Sequence, residues 1–237
     1  MAKTIGLLKE LERYPVFNNK IVRDITKKES SYAKLLVQRL KKKNLIYPLG
    51  RDRYTLQKDP LVIASHIVWP CYISLWTALR YHNLTEQLPE VIWLITTRQK
   101  RGAIKLKNAK IRFVIVKPKF FFGYRKESYN GFDIFIAEPE KAVIDALALR
   151  RVSASEIFDI IMRHAGEIES GRILNYLLIL NNRSIAKRLG YMLDKAGRDY
   201  FNALAPLISG KYVALDTAMP KKGKRNRKWK VIENVKQ

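Results

Sequence analysis

The sequence predicts an α+β protein: an N-terminal winged helix-turn-helix over residues 1–58, followed over 59–237 by a mixed α/β domain with several helices and a small sheet. Three observations lead there. Three short amphipathic segments crowd into the first forty or so residues, and a glycine-centred pair of strand-like runs follows them directly. From Asp59 and Pro60 onward, apolar runs of strand length alternate with helical ones. The change at that point is one of pattern, since no low-complexity linker and no internal repeat marks it.

Taken in order, Ile5, Leu8 and Leu11 recur at near-helical spacing over residues 3–13, and Pro15 stops the run. Asn18 or Asn19 can cap a second, short helix with Ile21, Val22 and Ile25 on its inner face, ended by the polar "TKKES". Ser30 or Ser31 offers a cap for a third helix, whose expected inner face is Tyr32, Leu35, Leu36 and Leu40. "LIYPLGRDRYTL" then reads as strands at 45–49 and 54–57 joined by a turn at 50–53. Further on, 61–68 and 72–81 read as helices separated by Pro70, and strands are expected at 91–97, 103–106 and 111–117, ahead of an aromatic patch, "KFFFGY". "GFDIFIAEPEKAVIDALALR" is a strand running into a helix, with Pro139 in the first turn and Glu138 and Glu140 complementing the helix dipole. Helices follow at 154–164, 170–180 and 184–195. A terminal strand pair at 212–215 and 229–232 brackets the basic "PKKGKRNRK".

Composition points to a class of partner. Lys and Arg number 46 against 21 Asp and Glu, a formal charge of +25, so a polyanion is the natural ligand. The excess is heaviest at the ends: residues 1–58 carry 15 basic and 5 acidic side chains, and 151–237 carry 17 and 8. Cys71 is the single cysteine, which excludes a disulfide framework or a cysteine-built zinc site and fits a reducing compartment. The first fifteen residues are broken by charges, unlike a signal peptide, and the run 61–79 is interrupted by His66 and Pro70, so neither suits a membrane. A soluble, cytoplasmic protein is expected.

The third helix is the expected reading element. With its apolar face inward, Ser31, Lys34, Gln38, Lys41 and Lys42 share the opposite face, because residues three, four and seven apart align. In a helix-turn-helix the second helix of the pair enters the major groove with its N-terminal residues nearest the bases, which puts Ser31, Tyr32, Lys34 and Gln38 at base edges and Lys41 and Lys42 at phosphates. A Gln amide can satisfy an adenine's donor and acceptor together, whereas an ammonium is a point charge suited to phosphate or guanine. Arg51 and Arg53, in the turn, are placed as the contacts of a wing. Lysines also solubilise ordinary surface helices, but here the adjoining hairpin carries arginines of its own. The segment 221–230 holds seven cations around Trp229. Lys221, Lys222, Lys224, Arg225, Arg227 and Lys228 are a second possible nucleic-acid contact or a basic loop between strands. Trp229, followed by Val231 and Ile232, has the setting of a core anchor.

Catalytic chemistry is not expected, nor a cofactor or metal. His66, His82 and His164 stand apart with no carboxylate or cysteine at ligand spacing. No phosphate-cradling glycine loop and no nucleophile elbow occurs. Near Asp133 a nuclease's carboxylate-x-lysine arrangement fails: Pro139 stands two residues before Lys141, and Glu138 is three away. Glu140 reads as a residue near a helix start, and Lys141 as one on that helix's polar face, with Val143, Ile144 and Leu147 inward.

Four segments in register carry a family resemblance: "YPVFNNKIVRDI…YAKLLVQRLKKKNLIYPLGRDRYTL", "YISLWTALRYHNLTEQLPEVIWLITTR", "AEPEKAVIDAL" and "RSIAKRLGYMLD". Together they make nearly all of residues 1–235 resemble the antitoxin component of the AbiE abortive-infection systems, type IV toxin-antitoxin pairs. The resemblance implies a winged helix that represses its operon by binding inverted repeats in the promoter, often with a second copy of itself, and a C-terminal domain that supports action against a nucleotidyltransferase toxin. It also implies that Glu140 and Lys141 belong to that C-terminal domain and not to a catalytic site. Two other readings stay open from the residues: a stand-alone regulator without a toxin, and an RNA-binding accessory protein that uses the basic tail and "KFFFGY".

Overall fold

The computed structural model describes residues 2–98 and 102–235. The described chain is mixed α+β. Three helices, α1 (Ala2–Leu11), α2 (Asn19–Thr26) and α3 (Ser30–Lys42), precede a hairpin of β1 (Tyr47–Gly50) and β2 (Arg53–Thr55). Then come α4 (Pro60–His66), β3 (Cys71–Ser74), α5 (Trp76–Tyr81), β4 (Val91–Thr96), β5 (Ala103–Lys105), β6 (Lys110–Ile115), β7 (Tyr124–Tyr129) and β8 (Phe132–Ala137). The last part holds α6 (Pro139–Ala148), α7 (Ala154–Arg163), α8 (Ser170–Leu180), α9 (Arg183–Lys195), α10 (Phe201–Leu204), β9 (Val213–Ala214), β10 (Lys224–Asn226) and β11 (Val231–Glu233). These elements fall into two compact units. One comprises Met1–Ile73, Glu90–Ile115 and Lys126–Phe135; the other comprises Ser74–Pro89, Val116–Arg125 and Ile136–Gln237.

Within the first unit, the helices and hairpin close around an apolar cluster of their own: Leu7, Leu11, Phe17, Val22, Ala33, Val37, Leu40 and Ile46. Two expected faces are rotated. On α1 Leu7 replaces Ile5, which is 55% exposed, and on α3 the buried residues are Ala33, Val37 and Leu40, while Tyr32 and Leu35 are 45% and 46% exposed. The reason lies in angular position on α3. Ala33, Val37 and Leu40 form one stripe at helical spacing that joins the apolar cluster, and Tyr32 and Leu35, about 100° or more around the helix from it, are left outside.

The six-stranded sheet runs β5-β6-β4-β3-β8-β7. Strands β4 and β6 pair in parallel from Val91↔Lys110 to Thr96↔Ile115, and β5 is antiparallel to β6. All three expected strands appear here with their bounds moved by one or two residues. The helix expected over 72–81 is instead strand β3 followed by the short α5. Cys71, Tyr72, Ile73 and Ser74 are all buried, as an interior strand requires, and their continuous apolar run carries no period that separates strand from helix. Strand β7 is an unexpected edge strand, joined to β8 by Asn130-Gly131, whose φ values of 49° and 78° make a primed hairpin turn.

The second unit is mostly helical. Helix α9 is buried from Ile185 to Leu193, on all faces. The terminal sheet has the order β10-β11-β9, with β11 parallel to β9 and antiparallel to β10. Strand β10 lies inside the basic segment, so part of it is a paired strand and not a loop. Trp229 is fully buried against Gly190 of α9 and donates its indole N–H to Asp194 at 2.8 Å. Lys141 corrects another expectation. It is 1% exposed and does not lie on a polar face; its Nζ bonds Asp145, which also accepts from Ser74 Oγ at 2.8 Å, and it stands 5.1 Å from the centre of the Phe122 ring. Burial pushes the Lys141 ammonium below its ordinary pKa, and the charge and hydrogen bond of Asp145 oppose that shift.

Among the described residues no helix is long and apolar enough to cross a membrane.

Candidate nucleic-acid interface

Helix α2 begins at Asn18, whose side chain accepts from Ile21 N at 3.0 Å, the capping bond that its amide chemistry suggests. It ends with Lys27 in the left-handed region at φ 52°, and Glu29 is the N-cap of α3. Only Lys27, Lys28 and Glu29 therefore join the two helices. The expected serine cap is absent: Ser30 is already helical, and Ser31 makes a long 3.5 Å hydrogen bond to Glu29. Helix α3 closes with Leu45 N bonded to Leu40 O and Asn44 N to Lys41 O, both at 3.0 Å, with Asn44 left-handed. This double bond pattern satisfies the last carbonyls and turns the chain sharply into the hairpin.

The hairpin is tied to the helices at both ends. Phe17 and Tyr54 exchange two backbone hydrogen bonds of 2.9 Å, which adds an extended residue from between α1 and α2 to the hairpin's edge. Thr55 Oγ1 donates to the Pro15 carbonyl at 2.6 Å. At the tip, the Asp52 carboxylate accepts from Asn19 N at 3.0 Å and also from the Asn19 side chain, which holds the turn against the start of α2.

On this frame Ser31, Lys34, Gln38, Lys41 and Lys42 are all exposed along α3, with Leu35, Arg39 and Lys43 beside them. At 100° per residue, Ser31, Leu35, Gln38 and Lys42 lie opposite the buried face, while Lys34 and Lys41 flank them on one side and Tyr32 and Arg39 on the other. Tyr32 leans over a groove shared with Thr4, Ile25 and Leu36. Leu35 and Arg39 were not expected in this surface. Counting the helix face from Ala33 and Val37, in place of Tyr32 and Leu35, would have found both. In the turn Arg51 is exposed, whereas Arg53 is half-buried and donates through its guanidinium to the Ile67 carbonyl. Arg51 alone of the two projects freely from the hairpin.

The other basic segment belongs to the second compact unit. Lys221, Lys222, Lys224, Arg225 and Arg227 are exposed. Arg225 also lies 5.4 Å from the centre of the Tyr212 ring. Lys228 is committed internally: its ammonium bonds Asp199 at 2.8 Å and Asp194 at 3.0 Å, and the bond to Asp199 is the main cause that holds it above its ordinary pKa. In "KFFFGY", Phe121 packs with Tyr124 at 5.0 Å and Phe122 with Tyr176 at 5.2 Å between centres.

Among the described residues no three His, Cys, Asp or Glu side chains converge as metal ligands would. His66, His82 and His164 each bond a different neighbour, the Val62 carbonyl, the Ala137 carbonyl and the Glu167 carboxylate. No model of a known protein family matches the chain, and no curated protein matches it.

Proposed function

We propose that residues 1–58 form a winged helix-turn-helix and that the protein is a sequence-specific DNA-binding repressor, acting by binding and not by catalysis. The observation that carries this reading is the exposed polar face of α3, joined to α2 by three residues and flanked by the β1–β2 hairpin. A connection of that length between two short helices is the proportion of a helix-turn-helix, and the bridge of Phe17 to the hairpin edge suits a wing. In this reading Ser31, Leu35 and Gln38 face base edges, while Lys34, Arg39, Lys41, Lys42 and Arg51 meet phosphates and release counterions.

By the resemblance of four sequence segments to the AbiE antitoxins, the same protein neutralises a nucleotidyltransferase toxin, and its DNA target is an inverted repeat in its own promoter that two copies share. RNA binding through "KFFFGY" is the weaker reading, because Phe121 already packs on Tyr124 and Phe122 on Tyr176, which leaves fewer ring faces for stacked bases.

The test is a binding titration against the protein's own promoter, a scrambled duplex and single-stranded RNA over a salt series. Repression requires preference for the promoter that persists at moderate salt; equal affinity for the scrambled duplex would refute it. Antitoxin action is tested separately, by whether co-expression with a nucleotidyltransferase encoded beside it restores growth.

A further inference from the structure

The second unit holds a concentration of positive charge that the DNA reading does not use. A cavity of about 220 Å³ is lined by Arg150, Arg151 and Arg188, with Asp216 and the start of α7 around them. Arg188 projects from α9 and is only 6% exposed. Its Nε donates to the Ala214 carbonyl at 2.8 Å, while its two terminal nitrogens have no acceptor among the described residues. Those nitrogens are not among the buried polar atoms left without a partner, so they keep access to solvent at the cavity, where an anion can take the place of water. Burial lowers the pKa of Arg188, the charge of Arg150 lowers it further, and Asp216 acts in the opposite sense. Asp216 does not neutralise the group directly. Its two oxygens accept from Ala154 N at 3.1 Å and Ala218 N at 2.7 Å. The α7 terminus is not the attraction either, since Asp216 and the Ser153–Glu156 capping box already occupy it.

We propose that this cavity binds a phosphate group, as inorganic phosphate or as the phosphomonoester end of a small metabolite, through the guanidiniums of Arg188, Arg150 and Arg151. Arginines outnumber the one lining carboxylate, Asp216, so the cavity wall carries an excess of positive charge that suits a phosphomonoester, whose charge is about −1.5 to −2 near neutral pH. A guanidinium's planar fork pairs two phosphate oxygens at once, which an ammonium does not. The size points the same way: 220 Å³ falls below the roughly 300–1,000 Å³ typical of sites for drug-sized ligands, so the group recognised is a small anion and not a whole dinucleotide.

Calorimetric titration of the full chain with inorganic phosphate and with ribose 5-phosphate, at constant ionic strength in sodium chloride, tests the site. One saturable equivalent is expected. Equal affinity for the two probes assigns inorganic phosphate, and tighter binding of ribose 5-phosphate assigns a phosphorylated metabolite. The exposed Arg150→Ala variant should bind at least about tenfold more weakly, the scale of a lost charge-assisted pair. Arg188→Lys keeps the charge and loses the fork, and it should weaken binding similarly; thermal melting reports whether it stays folded. No saturable heat up to about 10 mM of either probe, well above a millimolar Kd, would overturn the proposal. So would wild-type affinity in Arg150→Ala. Substituting Lys221 and Lys222 by Ala should leave phosphate binding intact, and its loss there would place the anion on the tail instead.

Discussion

At the scale of single residues, exposure and chemistry distinguish the side chains along α3. Gln38 lies opposite the buried face and carries both a donor and an acceptor, while Lys42 lies one turn further on with charge alone. Gln38→Ala should therefore relax discrimination between the promoter and single-base variants by about 1–3 kcal/mol at one position. Lys42→Ala should weaken every duplex alike and reduce the slope of log K against log salt by about 0.9. Quantitative gel-shift measurements at several salt concentrations separate the two, and equal loss of discrimination from both variants would refute the division. A second residue-scale prediction concerns Cys71, whose thiol sits at 1% exposure beside the Ser65 carbonyl. Burial pushes its pKa from 9.0 up to about 12, so the folded state keeps a proton that the unfolded chain gives up. The resulting stability is complete below pH 9 and is lost as pH rises toward 12, by up to about 1.4 kcal/mol per pH unit. Urea midpoints from pH 8 to 11 should fall more steeply for the wild type than for Cys71→Ala. Parallel curves would show that the thiol ionises as readily in the folded chain.

At the scale of elements, the packing of α9 against the terminal sheet makes the sharpest structural prediction. A methyl group placed on Gly190 would lie 2.1 Å from Trp229 Cζ3, and the indole cannot retreat without breaking its bond to Asp194. Gly190→Ala should cost at least about 1–3 kcal/mol by overpacking, read as a lower urea midpoint, and a compensating Trp229→Phe should recover part of the loss. This contact also shows what sequence could and could not reveal. Trp229 followed by Val231 and Ile232 marks a core anchor by composition alone, whereas its partner Gly190 lies 39 positions earlier and carries no local signal of a close approach. The helices over 154–164, 170–180 and 184–195 were legible because their periods are long. The short run 72–81 was not, since a buried strand and a buried helix share the same apolar text. The α3 surface was legible on its charged side. Its apolar side was misassigned because the buried stripe runs through Ala33, Val37 and Leu40, and not through Tyr32 and Leu35. The paired buried charges Lys141 and Asp145 satisfy a helical i, i+4 spacing that usually belongs to solvent, so only tertiary structure reveals that they are enclosed.

At the scale of the whole molecule, a net charge of +25 attracts any polyanion, so affinity by itself cannot distinguish a repressor from a protein that merely adheres to nucleic acid. The two basic regions differ in how they could contribute. The α3 surface combines cations with an amide, a hydroxyl and an apolar side chain, the mixture that base edges require, whereas Lys221, Lys222, Lys224 and Arg227 offer exposed charge with no such partner. Replacing those four by Ala should lower affinity for promoter and scrambled duplex by the same factor and leave their ratio unchanged. The salt slope should fall by about 0.9 for each cation that had met a phosphate. Lys228 is left out of the set because its bonds to Asp194 and Asp199 hold the fold, and its removal would confound charge with stability. Filter-binding isotherms for both duplexes at three salt concentrations supply the ratio and the slope together. If the ratio collapsed with the tail neutralised, specificity would reside in the C-terminal segment and the assignment of reading to α3 would be wrong; an unchanged ratio that vanishes on Gln38→Ala locates specificity on that helix.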